Sequence, residues 1–318
     1  MGYAKQWTPP TIPLRDDLAA WKTLFTDVHD CLIDAGLVQT ATAGQLDISA
    51  VSALPADGTF EGFREYRFDD VLQSTAPVTI KLEFGCGIEG IYNSSTNRTR
   101  TPRIRATVSF KGAVVATYQC PQAYNTGSST TSQLTTAGIS NICYSESDGF
   151  LGLCYGAGSR NKPNSSGYGT YYGATLVLFI QRTLDSSGVP TGEGLGVYYP
   201  TLTTYGQDWG GKLQRSVAAF SAGGTPVAKD TICPRIGRSD IAAGVDGLLL
   251  EPLHYPSSPP QPFPFMVSYY HTTINEGQQF EFQPVVGPAR NFIALGRETC
   301  LAVDSEEAHY AGVAMLFE

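Results

Sequence analysis

Apolar residues recur at two different periods along this chain. Between Asp16 and Ala35, Leu18, Trp21, Phe25, Val28 and Leu32 fall at three- and four-residue steps, a single apolar stripe that predicts an amphipathic helix. Asp16 and Asp17 stand where a helix N-terminus favours negative charge, and Gly36 is placed to end the helix in the left-handed conformation. The opposite face carries Lys22, Thr26, His29 and Asp30, so the helix is expected to pack on one side only, against a β body or a neighbouring subunit.

After about residue 75 the period changes to two. From Val78 to Phe84 apolar residues alternate without a break, which predicts a half-buried strand. Ile104, Ala106, Val108 and Phe110 repeat the pattern, with Arg103, Arg105, Thr107 and Ser109 expected to face out. Ile142 to Tyr144 and Phe150 to Tyr155 read as a hairpin across Ser147-Asp148-Gly149. The stretch Ala174 to Ile180 is apolar on both faces and belongs in the middle of a sandwich or at an interface. Asp185 to Gly188 turns the chain toward Gly196 to Tyr199, and Val313 to Phe317 forms a last strand, tied into a sheet by its apolar content. The expected fold is mainly β (α+β): an antiparallel β-sandwich-like body with one N-terminal amphipathic helix packed on it.

Two loops divide this pattern. Pro121 to Ser140 is a Ser/Thr/Gly tract almost free of charge, long enough to be a surface loop or contact arm. Pro252, Pro256, Pro259, Pro260, Pro262 and Pro264 crowd a short span that is expected to stay out of a central sheet and act as a semi-rigid spacer. The organisation expected is an N-terminal extension and helical segment (1–75), a main β body (76–251), a proline-rich connector (252–264) and a C-terminal β segment (265–318).

Composition narrows the function classes. Only 16% of the 318 residues are charged, which suits many short strands covered by hydroxyls. A formal charge of −8 argues against a general nucleic-acid binder, which needs a positive face. No apolar run is long enough to span a bilayer as a helix, and Met1 to Pro13 has no apolar core of a secretory signal. Seven cysteines, at 31, 86, 120, 143, 154, 233 and 300, include no C-x-x-C pair and read as reduced, mostly buried thiols. Cys143 and Cys154 flank the predicted hairpin turn too far out of register to bridge.

The search for reactive groups returns little. His29, His254, His271 and His309 are widely spaced and in no metal-binding motif. Gly156-Ala-Gly-Ser159-Arg160 lacks the last glycine of a nucleophile elbow, and Gly167-Tyr-Gly-Thr-Tyr-Tyr-Gly173 precedes a strand rather than opening a phosphate-binding helix. Adjacent acids such as Asp69-Asp70 and Glu306-Glu307 point to opposite faces of a strand and cannot pair across a glycan. Arg98, Arg100, Arg103 and Arg105 form a basic cluster that reads as a solvated loop and strand face balanced by Glu83 and Glu89. Asn93, Asn97 and Asn164 open glycosylation-like triplets expected by chance in so Ser/Thr-rich a chain. No catalytic residue, cofactor or metal is assigned.

Four segments carry a resemblance. Trp21-Lys-Thr-Leu-Phe-Thr-Asp-Val-His-Asp-Cys-Leu-Ile-Asp-Ala-Gly-Leu37, Gly62-Phe-Arg-Glu-Tyr-Arg-Phe-Asp-Asp70, the stretch Ser166 to Ile180, and Ala311-Gly-Val-Ala-Met-Leu-Phe317 together resemble late-gene virion structural proteins of tailed bacteriophages. The similarity is one of texture and order over nearly the full length and contains no catalytic motif. It implies a many-copy particle component, of the tail or baseplate rather than the capsid shell, assembled in the host cytoplasm. Its partners are then copies of itself and other virion proteins, without nucleic acid or membrane. Candidate interface residues are Trp7, Trp21, Phe25, Leu176, Leu178, Ile180, Pro259, Pro260 and Pro262. Three alternatives share the composition: a tail-tip protein that binds a host receptor or glycan through Tyr168, Tyr171 and Tyr172, a head decoration protein, and a glycan-cleaving enzyme.

Overall fold

The computed structural model describes residues 3–7, 17–56, 58–86, 102–120, 122–123, 141–146, 149–156, 172–173, 175–202, 213–221, 227–230, 249–255, 261–270, 278–282, 289–294 and 311–318. Within them the chain runs through β1 (Tyr3–Trp7), a single α-helix α1 (Leu18–Asp34), β2 (Val38–Gln39), β3 (Thr59–Arg67), β4 (Val78–Cys86) and β5 (Pro102–Phe110). There follow β6 (Ala113–Cys120), β7 (Gln122–Ala123), β8 (Asn141–Glu146), β9 (Phe150–Gly156), β10 (Tyr172–Gly173), β11 (Thr175–Leu184) and β12 (Pro190–Leu202). The last strands are β13 (Leu213–Ser221), β14 (Val227–Asp230), β15 (Leu249–Tyr255), β16 (Gln261–Tyr270), β17 (Gln279–Phe282), β18 (Arg290–Ala294) and β19 (Ala311–Leu316). Among the described residues the protein is mainly β, its sheets are antiparallel, and the one α-helix lies near the N-terminus, as the periodicity predicts.

Two compact units interleave along the chain: Met1–Lys5, Ile142–Leu153 and Val177–Glu318 form one, Gln6–Asn141 and Cys154–Leu176 the other. The expected order was four consecutive segments, and the pairing of strands departs from it in two places. The second unit holds a sheet of order β2-β3-β4-β5-β6, so strands on both sides of residue 75 share one sheet. The first unit holds a seven-stranded sheet, β1-β8-β9-β11-β12-β13-β14, and a five-stranded one, β15-β16-β19-β18-β17. Of the proline-rich stretch, residues 256–260 lie outside the described residues, and the flanking prolines stand in strands rather than in a spacer. Pro252, Pro262 and Pro264 lie within β15 and β16, which pair from Leu249↔Tyr270 to Tyr255↔Gln261. Sheet order tolerates them because β15 is an edge strand and β19 pairs only with Met266 to Tyr270, beyond the prolines of β16.

In the first unit the two sheets meet face to face. A Cβ added to Gly152 of β9 would fall 2.3 Å from Met315 Sδ of β19 and 3.1 Å from the Phe179 ring, so glycine there permits the close approach. Phe150, Leu151, Leu153, Phe179, Phe292, Ile293 and Met315 are buried. This is the sandwich expected from alternating strands. Strand β11 is buried on both faces, as its sequence predicts, through Leu178, Phe179 and Ile180, and its burial continues over Gln181 and Arg182.

The helix of the second unit shows how closely local sequence sets its ends. Asp17 is the N-cap, its Oδ1 accepting from Ala20 N at 2.9 Å. At the other end Gly36 takes φ +86°, Gly36 N donates to Ile33 O (2.9 Å) and Leu37 N to Leu32 O (3.1 Å), a pair of bonds that closes the last turn. Leu32 and Leu37, the positions where an apolar pair commonly accompanies such an ending, are both buried. The stripe that packs is wider than the one read from the sequence, since Leu24 and Cys31 join Trp21, Phe25, Val28 and Leu32 in the core.

Candidate functional site

Each face of the five-stranded sheet has a separate role. Ile80, Leu82, Phe84, Ile104, Ala106 and Val108 are buried on the helix side. Trp21 and Phe25 meet there edge to face at 4.6 Å, and Phe25 lies 4.8 Å from Phe84. The indole Nε1 of Trp21, a residue only 1% exposed, donates to Gly85 O at 2.9 Å. The helix is therefore seated on its own chain's sheet.

The other face is polar and aromatic. A register shift between Phe60 and Gly62 brings Phe60 opposite Gly85 and Phe63 opposite Glu83, so two phenylalanines three residues apart share this face. The guanidinium groups of Arg103 and Arg105 lie 4.6 and 4.4 Å from the Phe60 ring, and Lys81 Nζ lies 4.4 Å from that of Phe63. Glu83 sits between the cations: it accepts from Arg105 Nε and, at 2.6 Å, from Arg105 Nη2, with Lys81 at 3.8 Å. Those Arg105 hydrogen bonds hold the Glu83 carboxyl below its usual range against a smaller opposing effect of burial.

Arg103 corrects one expectation. Its parity on β5 is the outward one, yet it is only 1% exposed, because the chain around Gly58 folds over that end of the sheet and takes a hydrogen bond from Nη1 at 2.8 Å. The basic cluster is thus no open cationic patch at this point: Arg103 is covered and Arg105 is ion-paired with Glu83, while Arg98 and Arg100 lie outside the described residues.

A polar seam ties helix to sheet. His29 Nδ1 and the Tyr66 hydroxyl are 2.9 Å apart, and the Arg64 charge acts on both groups. Burial, helped by the Arg64 charge, lowers the His29 pKa from its usual 6.5, with Asp30 opposing, and burial raises that of Tyr66. Lys22 donates to Ser49 O at 2.6 Å on the helix's other flank. Two of the four residues read as a free polar face are therefore contacts.

The two edges of this sheet differ. Beyond β2, the stretch that follows keeps covering β3: Thr40 N donates to Glu65 O, Leu46 N to Phe63 O, and Glu65 N to Gln45 Oε1, each at 2.8 Å. Thr40 and Thr42 hydroxyls close on the Glu65 carboxylate. At the opposite edge β6 pairs with β5 from Ile104↔Cys120 to Phe110↔Ala113 and is the last strand in the order.

Compared with known proteins, the chain matches no family model, no curated protein and no solved structure. Its function must be argued from its own groups. Among the described residues no cluster of three or more His, Cys, Asp or Glu could hold a metal ion, and no helix is long and apolar enough to cross a membrane.

The candidate interface residues fall into three groups. Trp21, Phe25, Leu178 and Ile180 are buried within the chain, so the apolar surface they offer is already taken up inside their own units. Trp7, Leu176 and Pro262 lie in β1, β11 and β16. Pro259 and Pro260 lie outside the described residues, as do Tyr168, Tyr171, Asp148, Glu306, Glu307, Arg98 and Arg100, the asparagines of the three glycosylation-like triplets, and the greater part of the uncharged loop 121–140. Cys31 and Cys86 are buried thiols outside any disulfide, in keeping with the reduced thiols expected. Sequence reasoning did not find Phe60, Phe63 and the β6 edge, the first two because the bulge breaks the period of two.

Proposed function

We propose that this chain is a structural subunit of a tailed-phage virion, of the tail or baseplate, acting through symmetric assembly with copies of itself and neighbouring proteins. The observation that supports this reading is the use made of its polar groups. Glu83 clamps Arg105 across β4 and β5, Glu318 receives Arg290 at 3.0 Å, His29 and Tyr66 join helix to sheet, and Arg103 closes on Gly58. Each of these groups holds elements of a scaffold in register, which is what a load-sharing subunit requires. The four segments that resemble virion proteins overlap α1, β3, β11 and β19, elements that contribute buried residues to the two units. The scarcity of charge fits a protein much of whose surface is covered on assembly.

Mass spectrometry of particles purified from a phage that encodes this chain tests the reading, with heads and tails separated after disruption. The chain is expected in the tail fraction in many copies. Recovery with heads alone would make it a decoration protein, and absence from both fractions would overturn the proposal.

A further inference from the structure

We propose that β6 is the strand through which two copies of this chain join, edge to edge and antiparallel, doubling the five-stranded sheet across a two-fold axis. The inference rests on the assembly reading above and names the surface that would carry it.

An edge strand displays a row of backbone donors and acceptors that suits another extended backbone, and folded proteins ordinarily blunt such edges with charge, proline, bulges or a covering segment. Among the described residues, a covering segment lies along this sheet at one end only. On the β3 side the stretch from Thr40 to Leu46 lays the Thr40 and Leu46 amides along the edge, with the Gln45 side chain supplying an acceptor for Glu65 N. On the β6 side none of the described residues lies beyond the strand in the sheet order. From Ala113 to Cys120 the strand reads Ala-Val-Val-Ala-Thr-Tyr-Gln-Cys, with neither charge nor proline over its whole length. One bulge is present, at the shift between the Val108↔Ala116 and Ser109↔Val114 pairs. It sits beside the Lys111-Gly112 turn and leaves Ala116 to Cys120 in unbroken register with Ile104 to Val108. Val114, next to that bulge, is 57% exposed, the one large apolar side chain of this strand open to solvent among the described residues.

The lack of charge also identifies the occupant. In an antiparallel pair across a two-fold axis each residue meets the same strand of the other copy, so any charge near the axis opposes its own like. A strand with none can meet itself without that cost. Thr117, exposed and paired to Thr107 of β5, lies near the middle of the regular run and provides the handle for a test.

The experiment uses the full chain and three samples: wild type, Thr117→Lys and Thr117→Glu, each checked for folding by circular dichroism and followed by sedimentation over a range of concentrations. Thr117 is exposed, so both variants are expected to fold. Wild type is expected to associate, each variant alone to associate about tenfold or more weakly, and an equal mixture of the two to recover association through opposite charges across the pair. Concentration-dependent slowing of amide exchange in residues 116–120 of the wild type provides a second readout that needs no variant. Association that neither substitution weakens, with unprotected β6 amides, would overturn β6 as the interface while leaving assembly standing. Weakening that the mixture fails to rescue would overturn the pairing of β6 with itself. A wild type that stays monomeric at every concentration would overturn both this inference and the reading it rests on.

Discussion

Replacing Trp21 by Phe isolates what holds the helix to its sheet. The indole is 1% exposed, packs against Phe25 and donates Nε1–H to Gly85 O at 2.9 Å. Phenylalanine keeps one aromatic ring against Phe25 but removes the donor and the second ring. Loss of a buried hydrogen bond costs about 1 kcal/mol. The missing ring atoms leave a small void whose transfer and cavity contributions add about another 1 kcal/mol. The expected loss is therefore about 2 kcal/mol, against about 4 kcal/mol for Trp21→Ala, which removes nearly the whole side chain. Urea unfolding followed by a helix-weighted circular dichroism signal measures it, with the slope unchanged if only stability moves. A Trp21→Phe loss below about 0.5 kcal/mol would refute the reasoning, since it would mean that the indole is neither packed nor bonded as described.

Other consequences concern charge and close packing. His29 has its pKa lowered on folding by burial and Arg64, so the unfolded chain takes up a proton more readily; stability is full above about 6.5 and falls as pH drops below it, which thermal midpoints of wild type and His29→Gln compared across that range will show. Glu83, also lowered, contributes stability that is present above 4.5 and is lost as pH falls through its folded value; Glu83→Gln is expected to cost about 1 kcal/mol at neutral pH after allowing for solvent screening, and to flatten that acid limb. Gly85→Ala places a Cβ 2.1 Å from Thr59 O, a backbone atom that cannot step aside, so a loss of about 2 kcal/mol or more is expected in the same urea assay. Gly152→Ala meets the movable Met315 Sδ at 2.3 Å but also the Phe179 ring, and is expected to cost about 1–3 kcal/mol.

Much of the fold was legible where one rule governs a segment. The α1 stripe, its Asp17 start and Gly36 end depend on local groups, and β4 and β5 alternate because one face is buried under the helix. The segment of β3 was not legible, because the bulge between Phe60 and Gly62 shifts the parity and sets Phe60 and Phe63 on one face. Arg103 has the outward parity but is closed over by residues around Gly58, forty-five positions away, a tertiary effect that no period reports. The prolines of β15 and β16 misled for a related reason: they stop a central strand, but an edge strand and the one-sided end of its neighbour accept them. Of the candidate interface, the stretches chosen for apolar character, at Trp21 to Phe25 and Leu178 to Ile180, were the ones folding consumed. The β6 edge escaped notice because its signal is an absence of charge in a chain that is poor in charge throughout.

A density map of the particles made by a phage that encodes this chain tests the proposed role most directly. Several symmetry-related copies are expected in the tail or baseplate, each with α1 covered by its own five-stranded sheet and neighbouring chains seated on its strand edges. A map that accounts for every structural position without this chain would contradict the account.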